Sequence, residues 1–402
     1  MRSGRNYRLI VALASLVLVA AAISTYLHRK QDPQLVVAVA DELPWVRGLL
    51  TRYSQEFELR ELPYEKLKSE LTESFKKPKD KGEFDAVLVD QPWLVEFGKD
   101  LEPKRLEQPS LLPQKVRDAV DPHHDGKALG VPYTGNFEIF AINRRLLGNQ
   151  QGPENWRTWD DVVKIAREWR RTESSPYALR ASADSSSMTD EFMPVYWGEN
   201  SKALKAVDIL SALVQRPGGS QQVSPPIFPV LGSPEISSLI LRGKAVMGIV
   251  WSDWAMQMGE AEPDLVKRDV VFGRMPGGVP ELGIWLLSIP KNAPHAAQAE
   301  AFIKFAQEQS QLRQSVLDGN PPIRGDLLQD PELAAKYGYF FDAQKESMKN
   351  SRERPQCPDW NSRNETQIAN ALRDLYFDNG SAEAAAKEID DALSKCLPPT
   401  GR

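Results

Sequence analysis

The sequence predicts an α/β protein of two lobes, on three observations. The chain has 402 residues, beyond the size at which one hydrophobic core stays compact, so two lobes are the default. Short apolar runs alternate with helical stretches in the first part of the chain, the pattern of a mainly parallel sheet covered by helices. A long extended segment then leaves the first lobe, and a helix-rich second lobe follows it.

The first residues place Arg2, Arg5 and Arg8 ahead of an uncharged, mainly apolar run from Leu9 to about Leu27. That is an export signal. It is either cleaved at a small-residue site such as Ala20-Ala21-Ala22 or retained as an anchor, since about 19 residues can just span a bilayer. No cysteine follows the run to carry a lipid, and the arginines are not paired as a twin-arginine signal requires. The body of the chain is expected outside the cytoplasm in either case. LVVAVA (35–40) reads as a buried strand, with an amphipathic segment from about Leu43 to Phe57. DAVLVD (85–90) is a second strand after a helical stretch rich in Lys and Glu. Asp41 and Asp90 stand at the carboxyl ends of these strands, where ligands collect in such sheets.

Asp125-Gly126 supports a tight turn, and GVPYTG followed by FEIFAI reads as extended. TWDDVVKIAREWRR (158–171) has a Thr cap, acids in its first turn and apolar residues at helical spacing. RPGGSQQVSPPIFPVLGSP is rich in loop formers. GKAVMGIVWSDWAMQM (243–258) runs from a glycine turn through an apolar strand into Trp251, Ser252, Asp253 and Trp254. After VVFGRMPGG, the stretch GIWLLSIPKNAPHAAQAEAFIKFAQ (283–307) is strand, turn and helix, and from about Gln329 the chain is mostly helical. No internal repeat occurs.

An apolar content of 41% with 26% charged residues says globular, and a net charge of −5 with both signs interspersed offers no basic field for nucleic acid. The two cysteines, Cys357 and Cys396, are too few for a Cys-based zinc site. In an oxidising compartment they close one bridge around the last helices; the competing reading is two separate buried thiols. His123 and His124, with Asp121 and Asp125, resemble metal ligands in type only. Adjacent residues on a loop point apart and no spaced set completes a site, so no metal is expected. GxSxG, P-loop and strand-linked GxGxxG motifs are absent, so neither a catalytic nucleophile nor a cofactor is expected.

The order GKALGVPYTGN, NRRLL, TWDDVV, RGKAVMGIVWSDWA, MPGG, GIWLLSIPKNAPHAAQAEAFIKFAQ and GNPPIRGDLLQDPEL resembles the extracellular solute-binding proteins of ABC transporters, of the maltose and sugar-binding type. The likeness runs over roughly residues 34–395. It implies a type II periplasmic-binding-protein fold: two α/β lobes joined by crossover strands, a ligand cleft between them, and delivery of cargo to a membrane permease. The division it implies is 1–31 for the signal or anchor, 32–135 plus 286–322 for lobe 1, and 136–285 plus 323–402 for lobe 2. By motif, Tyr133 lies at the entry to the first crossover, Trp285 in the second, Trp251 and Trp254 on the second-lobe wall, and Asp41 and Asp90 on first-lobe strand ends. The chain departs from many relatives in lacking a lipidation cysteine, and VAVADELPWVRGLL matches less well than the middle.

Tryptophan with carboxylate suits sugars, because C–H faces stack on a ring while hydroxyls need charged or amide partners. Trp45, Trp93, Trp197, Asp253 and Asn136 join the candidate ligand set on that ground, and Arg324 joins it because PPIRGD resembles a family position near the cleft. Each has a plainer alternative. Trp251 and Trp254, three apart, can form one packed helix face. The aspartates can cap helices, Asn136 can serve the turn after Gly135, and Arg324 can form a surface ion pair. Trp156, Trp159, Trp169 and Trp360 read as packing. The expected function is a non-catalytic, exported, monomeric receptor that closes by hinges near 134–140 and 282–288 on a carbohydrate or similar polyhydroxylated solute. It would then present that solute to an ABC transporter permease. The alternatives are a membrane-anchored sensor of the same fold and a secreted glycan hydrolase. The hydrolase needs a carboxyl pair that nothing in the sequence marks.

Overall fold

The computed structural model describes residues 35–396 apart from 42, 44, 54–55, 107, 122–126, 148–155, 170–173, 182–184, 215–231, 356–359 and 379. The export segment, His123, His124, Asp125, most of the Pro-rich stretch and Cys357 fall outside the described residues.

The first lobe begins with β1 (Leu35–Ala40), α1 (Trp45–Arg52), β2 (Phe57–Leu62), α2 (Tyr64–Phe75) and β3 (Ala86–Asp90). β1 lies between β2 and β3, parallel to both. β1 and β3 are apolar runs covered on both faces, as parallel strands are. β2, FELREL, has no such run, being an edge strand whose charged side chains meet water, and hydropathy therefore does not reveal it. The first helix ends at Arg52, short of the amphipathic segment expected to reach Phe57, and β2 begins where that segment was expected to end. α3 (Gln114–Val120) lies in the chain between the short strands β4 (Lys104–Arg105) and β5 (Lys127–Ala128), which pair antiparallel as a separate two-stranded ribbon.

The expected extended segment is one 13-residue strand, β6 (Val131–Asn143). Its first half pairs with β10 (Glu281–Ser288) on the first-lobe side, and its second half pairs with β8 (Ala245–Trp251) and β9 (Val270–Gly273). The long strand thus belongs to both sheets. β10 also pairs antiparallel with β3, so the first-lobe sheet is parallel in β2-β1-β3 and antiparallel beyond. β7 (Ser175–Tyr177) closes the second sheet beside β8. Around it lie α4 (Trp159–Glu168), α5 (Ser185–Gly198), α6 (Ala203–Val214), α7 (Ser233–Leu241) and α8 (Ser252–Ala261). Thr158 caps α4 in a capping box with Asp161, as the sequence predicts. α9 (Ala296–Ala306) and α10 (Gln309–Leu317) return to the first lobe.

α11 (Pro331–Asn350) covers the back of the strands that join the lobes. Gln344 Nε2 donates to the carbonyls of Gly135 and Pro322, each at 3.0 Å, and Ser347 Oγ donates to the Glu138 carbonyl at 2.8 Å. Gly135 has to be glycine here, because a Cβ would stand 2.7 Å from the Ile323 Cα. β11 (Arg352–Glu353) then adds to β10, and α12 (Glu365–Phe377) and α13 (Ala382–Ser394) finish the second lobe. Trp156, Trp159, Trp169 and Trp360 are buried in that lobe's core, the packing role expected of them. Among the described residues no helix is long and apolar enough to cross a membrane.

Candidate functional site at the lobe junction

Strand register decides which side chains share the front of the junction, opposite α11. Across β3, β10 and β6, Asp90, Trp285 and Thr134 lie in one row, Gly283 faces Asn136, and Glu138 faces Trp251. Because paired residues point to the same side of a sheet, these form one surface running from the first lobe into the second. The turn after β3 (Gln91–Trp93) packs against residues 360–364 of the second lobe, so the two lobes meet over this surface.

On the first-lobe side Trp93, Tyr64 and Trp285 form an aromatic cluster. Trp93 lies 4.8 Å from Tyr64 and 5.9 Å from Trp285 between ring centroids. Tyr64 donates its hydroxyl to Asp90 at 2.8 Å, and Arg354 Nη2 donates to the same carboxylate oxygen at 2.9 Å. Arg354 Nε also lies 3.0 Å from Glu281 at the start of β10. One guanidinium therefore ties the end of a first-lobe strand to the crossover.

A second guanidinium does the same on the other side. Arg180 donates to Glu138 on β6 and, at 3.1 Å, to Glu191 on α5. Its third carboxylate neighbour, Asp190, is 3.9 Å away, and its charge lies over the Trp251 ring at 5.9 Å. Glu365 at the start of α12 accepts from the Thr189 hydroxyl at 3.1 Å. Six buried carboxyls, of Asp90, Glu138, Asp190, Glu191, Glu281 and Glu365, thus surround two buried guanidiniums.

Removal from water favours the uncharged form of a carboxyl. Burial pushes Glu138 and Glu365 up to about 8, offset in part by the nearby arginines. Burial, with Asp190 next, puts Glu281 well above the usual range, and Glu191 is raised for the first of these reasons. Several polar atoms on the same surface have no hydrogen-bond partner although they are shut away from solvent. They include Thr134 Oγ1, Trp93 Nε1, Asp90 Oδ1 and Glu281 Oε2. Such groups are rare in folded proteins and call for an explanation.

A family model described as bacterial extracellular solute-binding protein matches residues 65–311, more than half of the chain. The chain belongs to that family. MalE3 of T. maritima, solved with maltose bound, is similar to it with a TM-score of 0.76 at 17% identity, over 90% of this chain and 100% of its own. The GacH receptor of Streptomyces glaucescens gives 0.72 at 17%, over 91% and 99%. An ABC transporter solute-binding protein from Agrobacterium vitis, with bound D-mannitol, gives 0.71 at 16%, over 90% and 97%. At these identities the likeness is one of fold, and that fold is the two-lobe one. A sequence search among curated proteins gives no match.

The residues predicted for the solute-binding site fall in several separate settings. Asp90, Trp93 and Trp285 come together at the junction, with Trp251 and Asn136 farther along the same surface. Asn136 Oδ1 accepts from the Ser252 hydroxyl at 3.0 Å and from the Asp253 N–H at 3.1 Å, so it secures the start of α8. Asp253 accepts from the Trp254 N–H at 2.7 Å, and burial pushes its carboxyl up to about 6. Trp45 and Tyr133 stack on each other at 5.0 Å, both buried inside the first lobe. Trp197 is buried under the Arg352 guanidinium at 5.4 Å. Asp41 is exposed at the end of β1. Arg324 is held by Asp326 at 2.6 Å and Gln309 at 2.8 Å, beside a small hollow of about 120 Å³.

Sequence reading missed Tyr64, Glu138, Arg180, Glu281, Arg354 and Glu365. One signal was present: Glu138 interrupts the apolar run of FEIFAI, and Glu281 heads LGIWLLSI. A lone charge inside a buried strand needs a partner. A larger hollow of about 490 Å³ lies elsewhere, between Pro113, Leu328 and Met348. No predicted residue lines it.

Proposed function

We propose that this protein is an exported, non-catalytic receptor that takes a polyhydroxylated solute between its lobes and presents it to an ABC transporter permease. The observation that carries the reading is the set of buried, unpartnered polar atoms on the front of the junction strands, beside the Tyr64–Trp93–Trp285 cluster. A solute with several hydroxyls would satisfy donors and acceptors together while its C–H faces rest on the aromatic rings. Maltose, acarbose, D-mannitol and ribitol are the solutes bound in structurally similar proteins, which supports this chemistry.

The proposed motion is a hinge in β6 and β10, the strands shared by both lobes, with residues 32–135 plus 286–322 moving against the rest. Solute favours the closed form by binding it better than the open one. The receptor acts as a monomer, with its N-terminal segment either removed or kept as a tether. A tethered protein could report closure to a membrane partner instead, and the apolar run Leu9–Leu27 is the feature that favours that version. Hydrolysis is the less favoured alternative: Asp90, Glu138, Glu191 and Glu281 are each engaged with a buried arginine rather than set as a free pair across a bond.

Titration with maltose, maltotriose, sorbitol, mannitol and their aminated analogues, followed by thermal shift and calorimetry, tests the reading. Saturable binding of at least one, with a raised unfolding midpoint, is expected. Absence of binding across the panel would reject it.

A further inference from the structure

We propose that the larger hollow, beside α11, is a second binding site, for an apolar chain with an anionic head such as a free fatty carboxylate. It shares no residue with the junction surface, so it stands apart from the receptor reading. The hollow measures about 490 Å³, within the range of small-molecule sites. Three segments wall it. Lys345, Met348 and Lys349 are three and four residues apart on α11 and so share one helix face. Pro113 and Lys115 come from the start of α3, and Leu328 comes from the turn Leu327–Gln329. Leu328 and Met348 are buried, which makes the depth of the hollow apolar. Gly325 leaves room at its wall, since a Cβ there would meet nothing within 4 Å.

Charge selects the head group. Three lysines line the hollow and no acid does. Lysine stems lie along apolar surface while their ammoniums reach water, so the cations belong at the mouth. Lys115 and Lys349 have no ion-pair partner among the described residues. Lys345 has only Asp342 at 3.5 Å, a carboxylate almost wholly in solvent. The other acids nearby in the chain are engaged elsewhere. Asp326 holds Arg324 at 2.6 Å, Asp330 holds Arg313 at 2.9 Å and caps α11, and Glu346 accepts from Asn350 at 2.8 Å. On α3, Asp118 accepts from Gln114. A carboxylate at the mouth gains charge-assisted hydrogen bonds from lysines that lack a buried partner, while its chain leaves water in the apolar depth. An inorganic anion would forgo the second gain, and a cationic amphiphile would meet repulsion in place of the first.

Octanoate, octan-1-ol and octylamine share one chain and differ in the charge of the head, and each is titrated calorimetrically into the full protein near neutral pH. Octanoate is expected to bind saturably at one site, about tenfold or more tightly than either twin, a gap typical of one added charge contact. Gly325→Phe should fill the hollow and abolish that binding. Lys115→Gln combined with Lys349→Gln should bring octanoate down to the level of octan-1-ol. Thermal melts check that both variants fold; should Gly325→Phe fail to, the pair of exposed lysines decides. Octanoate that does not saturate, twins that bind as tightly, or octanoate binding unchanged in a folded variant would overturn the assignment. Co-sedimentation with phosphatidylglycerol vesicles in the absence of octanoate binding would give the lysines to a membrane surface and overturn it as well.

Discussion

Arg354 is the most exposing place to test the junction, because its single guanidinium joins Asp90 at the end of β3 to Glu281 at the start of β10. Replacing it with Met keeps most of the length and apolar stem and removes the charge. Asp90 and Glu281 then lose the cation they share. Removing one member of a buried ion pair typically costs about 3–5 kcal/mol, mostly from the charge left behind. Protonation of a stranded carboxyl can relieve part of that cost, and it does so more easily at low pH. Glu281, already held well above the usual carboxylate range by burial, is the group best placed to take the proton.

The deficit of Arg354→Met should therefore grow with pH. Urea denaturation of both proteins at pH 5.5 and 7.5 measures it. The loss is expected at about 3–5 kcal/mol at the higher pH, and smaller at the lower by up to about 2.7 kcal/mol, the limit for one proton over two pH units. Glu281→Gln added to the variant should recover part of the loss, since the pair are in contact. A loss below about 1 kcal/mol at both pH values, or one that does not change with pH, would show that the guanidinium is not compensating buried charge.

The wild-type protein should itself lose stability as pH rises from about 4.5 to about 8, because Glu138 and Glu365 hold protons up to about 8 in the fold and, at the ordinary value of 4.5, lose them in the unfolded chain. The fold binds more protons in that window, so each carboxyl contributes a slope of up to about 1.4 kcal/mol per pH unit, and a melting midpoint flat from pH 5 to 8 would contradict it. Trp251→Ala should cost about 3–5 kcal/mol in the solute-free protein, since the ring is 9% exposed and packed over Gly283 and Arg180. A melt that leaves the midpoint unmoved would instead make Trp251 a free platform. Mass spectrometry without reduction should find Cys357 joined to Cys396; Cys396 carries no free thiol, Cys357 lies outside the described residues, and two alkylatable thiols would refute the pairing. Any oligosaccharide the protein binds should be returned intact after prolonged incubation, and release of reducing ends in proportion to protein concentration would favour the hydrolase.

Most of the fold was legible because apolar periodicity reports burial directly. LVVAVA, AVLVD and GIWLLSI are strands for the reason that makes them visible: they are covered on both faces. Thr158 and Asp161 announced the start of α4 through the chemistry of a cap. β2 escaped notice because an edge strand needs only backbone bonds from β1 and can expose Glu58 and Arg60 to water. The shared role of β6 was readable as a long extended run, whereas its change of partners at Phe137 and Glu138 depends on strands more than a hundred residues away.

The site was legible in its aromatics and largely hidden in its charges. Trp93 and Trp285 could be proposed from their positions near strand ends, and their neighbours in space are what turn them into a cluster with Tyr64. The ionic groups come from β3, β6, β10, α5, α12 and the segments after β7 and β11, and no local spacing links them. Arg180 follows YAL and Arg354 sits in a charged run, so neither looks unusual on its own. What distinguishes them is that folding removes both from water, and only carboxyls brought from distant segments make that tolerable. The same reasoning accounts for Arg324 and Arg354 having such different settings in similar-looking polar stretches. Arg324 can keep Asp326 two residues away as its partner, while Arg354, inside the junction, has to reach Asp90 across 264 residues of chain. A charge whose partner is local leaves the lobes free to move. One whose partner lies on a distant segment makes the junction depend on charge balance between elements far apart in the chain.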